Sequence, residues 1–324
     1  MNRNAAEGVP YGGIMRLFEA AEGDITASLQ SVLDQGPGMV RLGPGEYLCA
    51  RLRIPAGVML VGEGTATVLR LGDGKVIIHQ QEVGNWALRD LVLAGNSDGD
   101  WTERTDLGER GIDISGCWGY DISGVTAKHF NGAGIRVAHT PLFTGQAPFC
   151  NGGNLDRVTV HGCHAGLLFD TRGEYLNAVA LSAYRNITGV VIHAGNVKLT
   201  GGNICSNLDG VYIEDHENGS HGALGNCLIN HNQRHALWCR NVKNGMTVEN
   251  CCLFYGDITL EDCRGIVISG GEICCNLFTR GAGVNRIAGN YIIPYPGICE
   301  RFEFTLGTSI ESNFTAEGSW NARP

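Results

Sequence analysis

The sequence predicts an all-β fold: a single-stranded, right-handed parallel β-helix of about nine or ten coils, closed at its N-terminal end by a short helix. Two observations predict it. The composition is rich in glycine and poor in charged residues, and short apolar strands recur at a nearly constant interval. A parallel β-helix needs both, because each coil turns sharply and each strand pairs with its counterpart in the next coil.

The composition favours many short strands and argues against two classes of partner. Of the 324 residues, 48 are glycine and 9 are proline, and only 18% are charged. The formal net charge is −9 and there is no basic stripe. Because phosphate binding depends on Lys and Arg, we expect no nucleic-acid partner. No apolar run approaches the ~18 residues of a membrane span, so we expect no membrane partner either.

A small residue followed by an apolar strand recurs along the middle of the chain. The repeats begin at Gly111, Gly134, Gly166, Gly189, Gly210, Ala236 and Asp257, at intervals of 21 to 26 residues with one of 32. This interval is typical of one coil of a parallel β-helix. The longest interval contains residues 139–154, which we interpret as a loop that projects from one coil.

A second repeat predicts a ladder of turn residues. Asparagine, replaced once by glutamate, recurs before an apolar residue or cysteine at Asn203, Asn226, Asn250, Glu272 and Asn290. Asparagine tolerates the left-handed backbone of a sharp turn, and stacked amides hydrogen-bond from coil to coil. We therefore expect these residues in one column. The residues after them should form an inward-facing stack.

The two ends of the chain lack the repeat. A short amphipathic helix is predicted near residues 26–34, where it would cover the open end of the core. We interpret residues 1–324 as a single domain, with 1–40 as the N-terminal cap and first strands and 41–293 as the coils. Residues 294–324 would form a C-terminal cap or tail, or a contact to a neighbouring subunit.

The cysteines and the N-terminal segment bear on location. Thirteen cysteines include the adjacent pairs Cys251–Cys252 and Cys274–Cys275, which lie in apolar runs without the CxxC spacing of a zinc or redox site. We expect reduced, mostly buried thiols. Because the N-terminal segment has no apolar signal region, we expect a cytoplasmic protein, with secretion by another route left open.

Two resemblances suggest a function. Residues 20–72, with a helix followed by GPGEYL and RIPAGVMLVGEG, resemble the opening of the pectate-lyase-like parallel β-helix superfamily of lyases, epimerases, glycosidases and phage tail depolymerases. The segments DGVYIEDHENGS and FYGDITLEDC resemble inulin fructotransferases, which release difructose anhydride from fructan ends. This narrower resemblance implies an oligo- or polysaccharide substrate, a homotrimer, and catalytic roles for Asp209 and Glu217. The altered spacing in EDHENG and the shorter chain depart from that family.

A group of carboxylates predicts where acid–base chemistry occurs. Transfer at a ketose carbon needs one group that protonates the departing oxygen and one that stabilises positive charge, and it needs no metal or cofactor. The predicted catalytic residues belong to one strand and the turn after it: Asp209, Glu214, Asp215 and Glu217. Asp209 precedes a glycine, so a plain turn residue is the alternative interpretation.

The alignment of coils also predicts a charged column and a binding rim. One position of successive coils is occupied by Asp170, His193, Glu214, Arg240 and Glu261. This column is either a ladder of surface salt bridges or the border of a sugar cleft. The predicted substrate-binding residues are His193, Arg240, His235 and His216 near the carboxylates, and Trp101, Arg104 and Arg110 in a charged loop.

Three other functions fit the same features. A polysaccharide lyase or epimerase acting on a uronic-acid polymer needs cations, for which the chain offers Arg136, Lys198, Arg234 and Arg240 but no dense basic cleft. A glycoside hydrolase acting on another glycan would use the same carboxylates. A phage-tail-type glycan-binding β-helix would show the same repeats without a catalytic pair. Fructosyl transfer is preferred here on the narrower resemblance.

Overall fold

The chain folds as the predicted parallel β-helix. The computed structural model describes residues 14–19, 23–139, 150–216 and 219–320. Three sheets, which we name A, B and C, contain 13, 13 and 10 strands, and the solenoid has about 12 turns. This exceeds the predicted number because less regular coils at both ends extend the same sheets. Most of the predicted projecting loop, residues 140–149, lies outside the described residues.

The strands of each sheet follow one another in chain order. Sheet A contains Met15–Phe18, Gly38–Leu42, Val58–Val61, Ala87–Arg89, Asp121–Ser123, Gly153–Asp156, Leu176–Val179, Val197–Thr200, Gly222–Gly225, Met246–Glu249, Ile266–Ser269, Asn285–Ala288 and Thr308–Glu311. Sheet B contains Gly45–Cys49, Thr67–Leu71, Val92–Ala94, Thr126–Lys128, Thr159–His161, Ser182–Tyr184, Asn203–Cys205, Leu228–Asn230, Cys252–Phe254, Glu272–Cys274, Tyr291–Ile292, Asn313–Thr315 and Gly318–Trp320. Sheet C contains Val76–Gln81, Glu109–Ser115, Gly132–Ala138, Ala165–Phe169, Thr188–Ile192, Asp209–Glu214, His235–Arg240, Asp257–Glu261, Leu277–Arg280 and Phe302–Glu303.

The recurring apolar strand of the sequence forms sheet C, as predicted. The residue after each small residue pairs with its counterpart one coil away, in the order Ile112, Ile135, Leu167, Val190, Val211, Leu237 and Ile258. All of them are fully buried. Burial of apolar surface contributes about 25 cal/mol per Å², so a repeat that stacks these side chains from coil to coil stabilises one continuous core.

The predicted ladder of turn residues is wrong, because its members occupy three different positions between the turn that follows sheet A and the first residue of the sheet B strand. Asn226 and Asn250 take the left-handed position, with φ of 54° and 53°. In other coils a glycine takes that position, and it is followed one or two residues later by Asn203, Glu272 and Asn290. Glycine and asparagine both adopt this φ, so a pattern matched on asparagine alone shifts the register. The expected single inward stack is wrong for the same reason: Ile204 and Ile273 are buried in one column, and Cys227 and Cys251 are buried in another.

A buried asparagine ladder does exist, in the turn between sheets B and C. Asn186, Asn207 and Asn232 are buried in consecutive coils. The side-chain amide of Asn186 donates to Asn207 Oδ1, and that of Asn207 to Asn232 Oδ1, both at 3.0 Å. The backbone N–H groups of Asn186 and Asn207 donate to the same oxygens at 3.0 and 3.1 Å. The ladder therefore fixes how the chain enters sheet C.

The N-terminal helix and the cysteines agree with expectation, whereas strands of all three sheets continue past residue 293. The predicted helix spans Thr26–Leu33 and buries Leu29 and Leu33 in the core. Short 3₁₀ helices lie at Gly64–Ala66 and Trp101–Glu103. All thirteen cysteines are unpaired, and all but Cys205 and Cys252 are buried. At the C-terminal end, Gly318–Trp320 pairs antiparallel with Asn313–Thr315. None of the described helices is long and apolar enough to cross a membrane.

Candidate functional site

The outward side of sheet C carries a dense set of chemical groups. Side chains alternate along a strand, so in Asp209–Glu214 the residues Val211 and Ile213 are buried while Tyr212 and Glu214 point outward. Repetition of this pattern from coil to coil produces two outward columns. We name this surface the sheet C face and define it by Arg136, Asp170, His193, Tyr212, Glu214, His216, Trp238 and Arg240.

The structure contains the predicted charged column, and part of it is a salt-bridge ladder. Glu214 pairs in register with Arg240, and Arg240 with Glu261. Arg136 holds Asp170 with a contact of 2.8 Å. By contrast, Arg240 Nε lies 3.9 Å from Glu214 Oε1, and the Arg240 side chain is 51% exposed. The ladder interpretation therefore describes Asp170, whereas the contact between Glu214 and Arg240 is loose.

Two histidines stack beside Asp170. The ring centroids of His193 and His216 are 3.8 Å apart. His193 Nδ1 lies 3.8 Å from Asp170 Oδ1, and Thr171 Oγ1 lies 3.4 Å from His216 Nδ1. His193, the Thr171 N–H and Arg136 together hold the pKa of Asp170 well below its usual range, against the effect of burial. Burial and the neighbouring His193 lower the pKa of His216, so the exposed His216 ring is an uncharged base at neutral pH.

A tyrosine and a tryptophan complete the sheet C face. The Tyr212 hydroxyl donates to Glu214 Oε2 at 2.6 Å, and the ring meets His193 edge-on with centroids 6.0 Å apart. Burial and Glu214 raise the pKa of Tyr212, so this phenol stays protonated. The Trp238 ring lies 4.7 Å from that of Tyr212. The face thus combines an aromatic surface with a proton donor, a neutral base and a cation.

Asp209 lies apart from the other predicted catalytic residues. It is buried at the start of its strand, and both carboxylate oxygens accept hydrogen bonds from Arg234. His235 Nδ1 lies 2.9 Å from Asp209 Oδ1. Glu214 is five residues further along an extended strand, roughly 16 Å away. A buried, ion-paired Asp209 at the start of a strand agrees with the alternative interpretation, in which Asp209 is a structural residue at a turn.

The two carboxylates after the strand also do not join Glu214. The carboxylate of Asp215 accepts hydrogen bonds from the backbone N–H groups of Ser220 and Lys243, the second at 2.8 Å. These bonds occupy both of its oxygens and shape the turn. Glu217 lies outside the described residues. Of the predicted carboxylates, the sheet C face therefore presents Glu214.

One group of potential metal ligands occurs among the described residues. One ligand atom from each of Asp170, His193 and His216 lies within 4.8 Å of the others. Imidazole and carboxylate ligands suit zinc and related ions. The two rings, however, stack with 21° between their planes, so their nitrogen lone pairs run side by side and do not converge on one point. Binding an ion would require one ring to turn, and the absence of a metal site stays a prediction.

The predicted binding rim divides between two places. Trp101 and Arg104 line a pocket of about 270 Å³, which we name the edge pocket, together with Ser97, Asp98, Gly99, His129, His161, Gly162, Tyr184 and Arg185. Arg110 does not line it, and instead pairs with Asp106 at 2.9 Å. His235 lines a larger cavity of about 580 Å³ further along the same edge.

Sequence reasoning did not single out Tyr212, His129, His161 or Tyr184. For Tyr212 a signal was available, because it lies two residues before Glu214 and strand alternation points both outward. For the edge pocket no local pattern was available. Its histidines and tyrosine lie in separate coils, and only the register of sheet B brings His161 beside Tyr184.

No family model matches the sequence, and no curated protein matches it. Solved structures share the fold at low identity. The A-module of a mannuronan C-5 epimerase from Azotobacter vinelandii is 18% identical, with a TM-score of 0.58, over 90% of this chain and 91% of that one. A capsular polysaccharide depolymerase, the tailspike of Acinetobacter baumannii bacteriophage Fri1, is 15% identical, with a TM-score of 0.59, over 94% and 61%.

A tailspike from a bacteriophage of Escherichia coli O157:H7 is 12% identical, with a TM-score of 0.63, over 90% of this chain and 40% of that one. This chain therefore spans less than two thirds of either tailspike. At such identities the likeness shows the fold alone. It confirms the predicted parallel β-helix fold, whereas the resemblance to inulin fructotransferases stays a prediction.

Proposed function

We propose that this protein is a polysaccharide-modifying enzyme of the lyase or epimerase type, and that the sheet C face is its active site. The observation that carries the proposal is that the His193 ring stacks on the imidazole of His216 with centroids 3.8 Å apart and meets the phenol ring of Tyr212 edge-on at 6.0 Å. A neutral base and a proton donor on one surface are the pair that removal and return of a carbon-bound proton requires.

Each group has a distinct role in this chemistry. His216 would remove the proton beside a uronate carboxylate, and the exposed Arg240 would stabilise the negative charge that develops there. Tyr212 would donate a proton, either to the departing glycosidic oxygen or to the opposite side of the ring. Asp170, held by Arg136, is a positioning residue that orients His193, against which His216 stacks.

The aromatic surface and the neighbouring structures support a polysaccharide substrate. Trp238 and Tyr212 offer ring faces on which a sugar can stack. One structural neighbour that matches this chain along most of both lengths is named a mannuronan C-5 epimerase, and a tailspike neighbour is named a capsular polysaccharide depolymerase. Both neighbours are thus named as polysaccharide-modifying proteins, the class that we propose for this chain.

Fructosyl transfer is the second candidate. One observation favours it: Asp170 and Glu214 lie two coils apart in one outward column, which places their backbones roughly 10 Å from each other. Pairs of catalytic carboxyl groups in inverting glycosidases are about 6.5–9.5 Å apart. Against it, the Asp170 carboxylate forms an ion pair with Arg136 and its pKa is lowered, so Asp170 stays ionised. Of these two carboxyl groups, Glu214 alone is then left to act as the acid.

A substrate panel separates the two candidates. The purified protein is incubated with polymannuronate, polygalacturonate, inulin and difructose anhydride, and products are identified by mass and by NMR. A lyase yields unsaturated sugar ends, an epimerase changes stereochemistry without changing mass, and a fructotransferase releases difructose anhydride. No turnover of any glycan, combined with binding, would instead favour the non-enzymatic glycan-binding alternative.

Variants then test the assigned residues on whichever substrate reacts. We expect Tyr212→Phe and His216→Gln each to lower kcat by at least ~100-fold, because each removes a proton-transfer group without emptying the core. Glu249→Gln is the matched surface control, since Glu249 is exposed on sheet A. Near-normal turnover in both Tyr212→Phe and His216→Gln would contradict the assignment.

A homotrimer, implied by the resemblance to fructotransferases, is a further proposal. Light scattering with size-exclusion chromatography measures the molar mass directly. A mass of three times 34.7 kDa would support it, and a mass of 34.7 kDa at micromolar concentration would contradict it.

A further inference from the structure

The edge pocket is separate from the sheet C face. It lies on the turns between sheets B and C, where Tyr184 and Arg185 precede the strand Thr188–Ile192. His193 follows that same strand at its other end. The strand is five residues long, so the two places are roughly 16 Å apart. Ligand binding at the edge pocket can therefore be measured independently of chemistry at the sheet C face.

Arg104 is a buried cation without a carboxylate partner. It is 7% exposed, and its guanidinium donates to three neutral oxygens: the carbonyls of Ser97 at 2.7 Å and Gly99 at 3.3 Å, and Asn131 Oδ1 at 3.4 Å. Its Nε is buried and makes no hydrogen bond. A buried guanidinium is normally paired with an anion, because desolvation penalises the charged form. The wall of the pocket thus contains a cation that lacks its usual partner.

The pocket also contains flat, uncharged rings. His161 stacks on Tyr184 with ring centroids 4.8 Å apart and 5° between the planes. His129 meets His161 edge-on at 5.4 Å. Burial and the nearby His129, Lys128 and Arg185 lower the pKa of His161 to about 4, so this ring is neutral at pH 7. Flat rings of this kind, with Trp101 on the same pocket, are typical surfaces for stacking a sugar ring.

The charge of the pocket opposes that of the chain. The formal net charge of the protein is −9. The edge pocket is lined by Arg104 and Arg185, and by one acidic residue, Asp98, which is exposed. No ion pair forms at Arg104 or Arg185 within the described part of the chain. Asp98, Glu109 and Asp100 act on Arg104 from a distance and do not form an ion pair with it, so an anionic ligand in the pocket would supply the direct contact that they do not.

We propose that the edge pocket is a binding site for a single acidic sugar residue, with the uronate carboxylate on Arg104 and Arg185 and the pyranose ring against the His161–Tyr184 surface. Its volume of about 270 Å³ lies just below the ~300–1,000 Å³ of pockets for drug-sized ligands, which suits one ring. An anionic saccharide satisfies both features, whereas a neutral sugar leaves Arg104 unpaired and a simple anion leaves the rings unused.

Calorimetric titration of the full chain with three probes tests this composition. The probes are methyl glucuronide, methyl glucoside and sodium sulfate, at pH 7 and constant ionic strength. We expect methyl glucuronide to bind at least ~10-fold more tightly than either of the others, because only it engages both the cations and the rings. Equal affinity for the glucoside would refute recognition of the carboxylate. Equal affinity for sulfate would refute recognition of the ring, and no measurable glucuronide binding would refute the site.

Matched arginine variants locate the binding. Arg185 and Arg157 are both exposed and both occupy left-handed turn positions, with φ of 55° and 49°, but only Arg185 lines the pocket. We expect Arg185→Gln to weaken glucuronide binding at least ~10-fold and Arg157→Gln to leave it within ~2-fold. Arg104→Met should weaken it further. Arg104 also anchors its loop; if Arg104→Met therefore fails to fold, Arg185→Gln still tests the site. The proposal would be overturned if Arg185→Gln and Arg157→Gln bound methyl glucuronide with equal affinity.

Discussion

Replacing Asn207 by alanine should destabilise the fold far more than replacing an asparagine of the surface turn. Three buried groups would each lose a hydrogen bond: the backbone N–H of Asn186, its side-chain amide, which keeps the Val160 carbonyl as a second acceptor, and the carbonyl of Ala183. Leaving a buried polar group unsatisfied costs about 1–3 kcal/mol. Allowing for partial relaxation, we expect the free energy of unfolding to fall by about 3–6 kcal/mol.

Equilibrium urea denaturation, followed by circular dichroism in both directions, measures this change. The control is Asn203→Ala, since the Asn203 side chain is exposed and makes no hydrogen bond in the described part of the chain. A surface substitution of this kind changes stability by about 0.5 kcal/mol or less. If Asn207→Ala costs under about 1 kcal/mol, or no more than Asn203→Ala, then the buried ladder does not stabilise the entry to sheet C as argued here.

Three further predictions follow from charges and burial. In the native protein a thiol reagent should modify few cysteines, chiefly Cys205 and Cys252, and after denaturation it should find thirteen thiols; fewer would reveal a disulfide. Arg136→Met should lower stability by about 3 kcal/mol at pH 7, because it removes the cation that lies between Asp113 and Asp170. Arg136 helps to hold the pKa of Asp170 low in the folded state, so the loss should be smaller at pH 3, below the ordinary pKa of an Asp in the unfolded chain; an equal loss at both pH values would exclude a charge effect. Folding lowers the pKa of His161 from 6.5 to about 4, so its contribution to stability is present above pH 6.5 and is lost as the pH falls towards 4. After allowance for solvent screening, the stability lost between pH 6.5 and pH 4 amounts to about 1–2 kcal/mol. In His161→Gln the urea midpoint should therefore depend less on pH over this range.

The register of sheet C could be predicted from sequence, whereas the register of the turns could not. Burial on the inward side admits mainly large apolar residues, so each strand carries its own marker, such as Ile135 or Val211. The left-handed turn position admits glycine and asparagine equally, and Asn226 and Gly201 therefore serve one role in different coils. A pattern built on one of these residue types cannot recover the alignment.

The predicted catalytic carboxylates do not form one cluster, for a geometric reason. Asp209 and Glu214 are close in sequence, but an extended strand separates them by roughly 16 Å, whereas Asp170 and Glu214 are 44 positions apart and stand two coils from each other. In a parallel β-helix the neighbours of a residue lie about one coil away in the chain. Groups that meet, such as His193 with His216, are therefore found by adding the coil length and not by looking along one strand.

Strand length explains why sheet C presents the broadest chemical surface. Between residues 76 and 261 the strands of sheet C are five to seven residues long, whereas those of sheets A and B in the same region are mostly three or four. Only the longer strands leave room for two outward columns side by side, which can place Tyr212 next to both Glu214 and His193. The columns repeat every ~4.8 Å along the axis, so a linear polymer lying along sheet C would meet successive rows of related groups. A substrate made of repeating units is the kind of molecule that can use such a surface over its length.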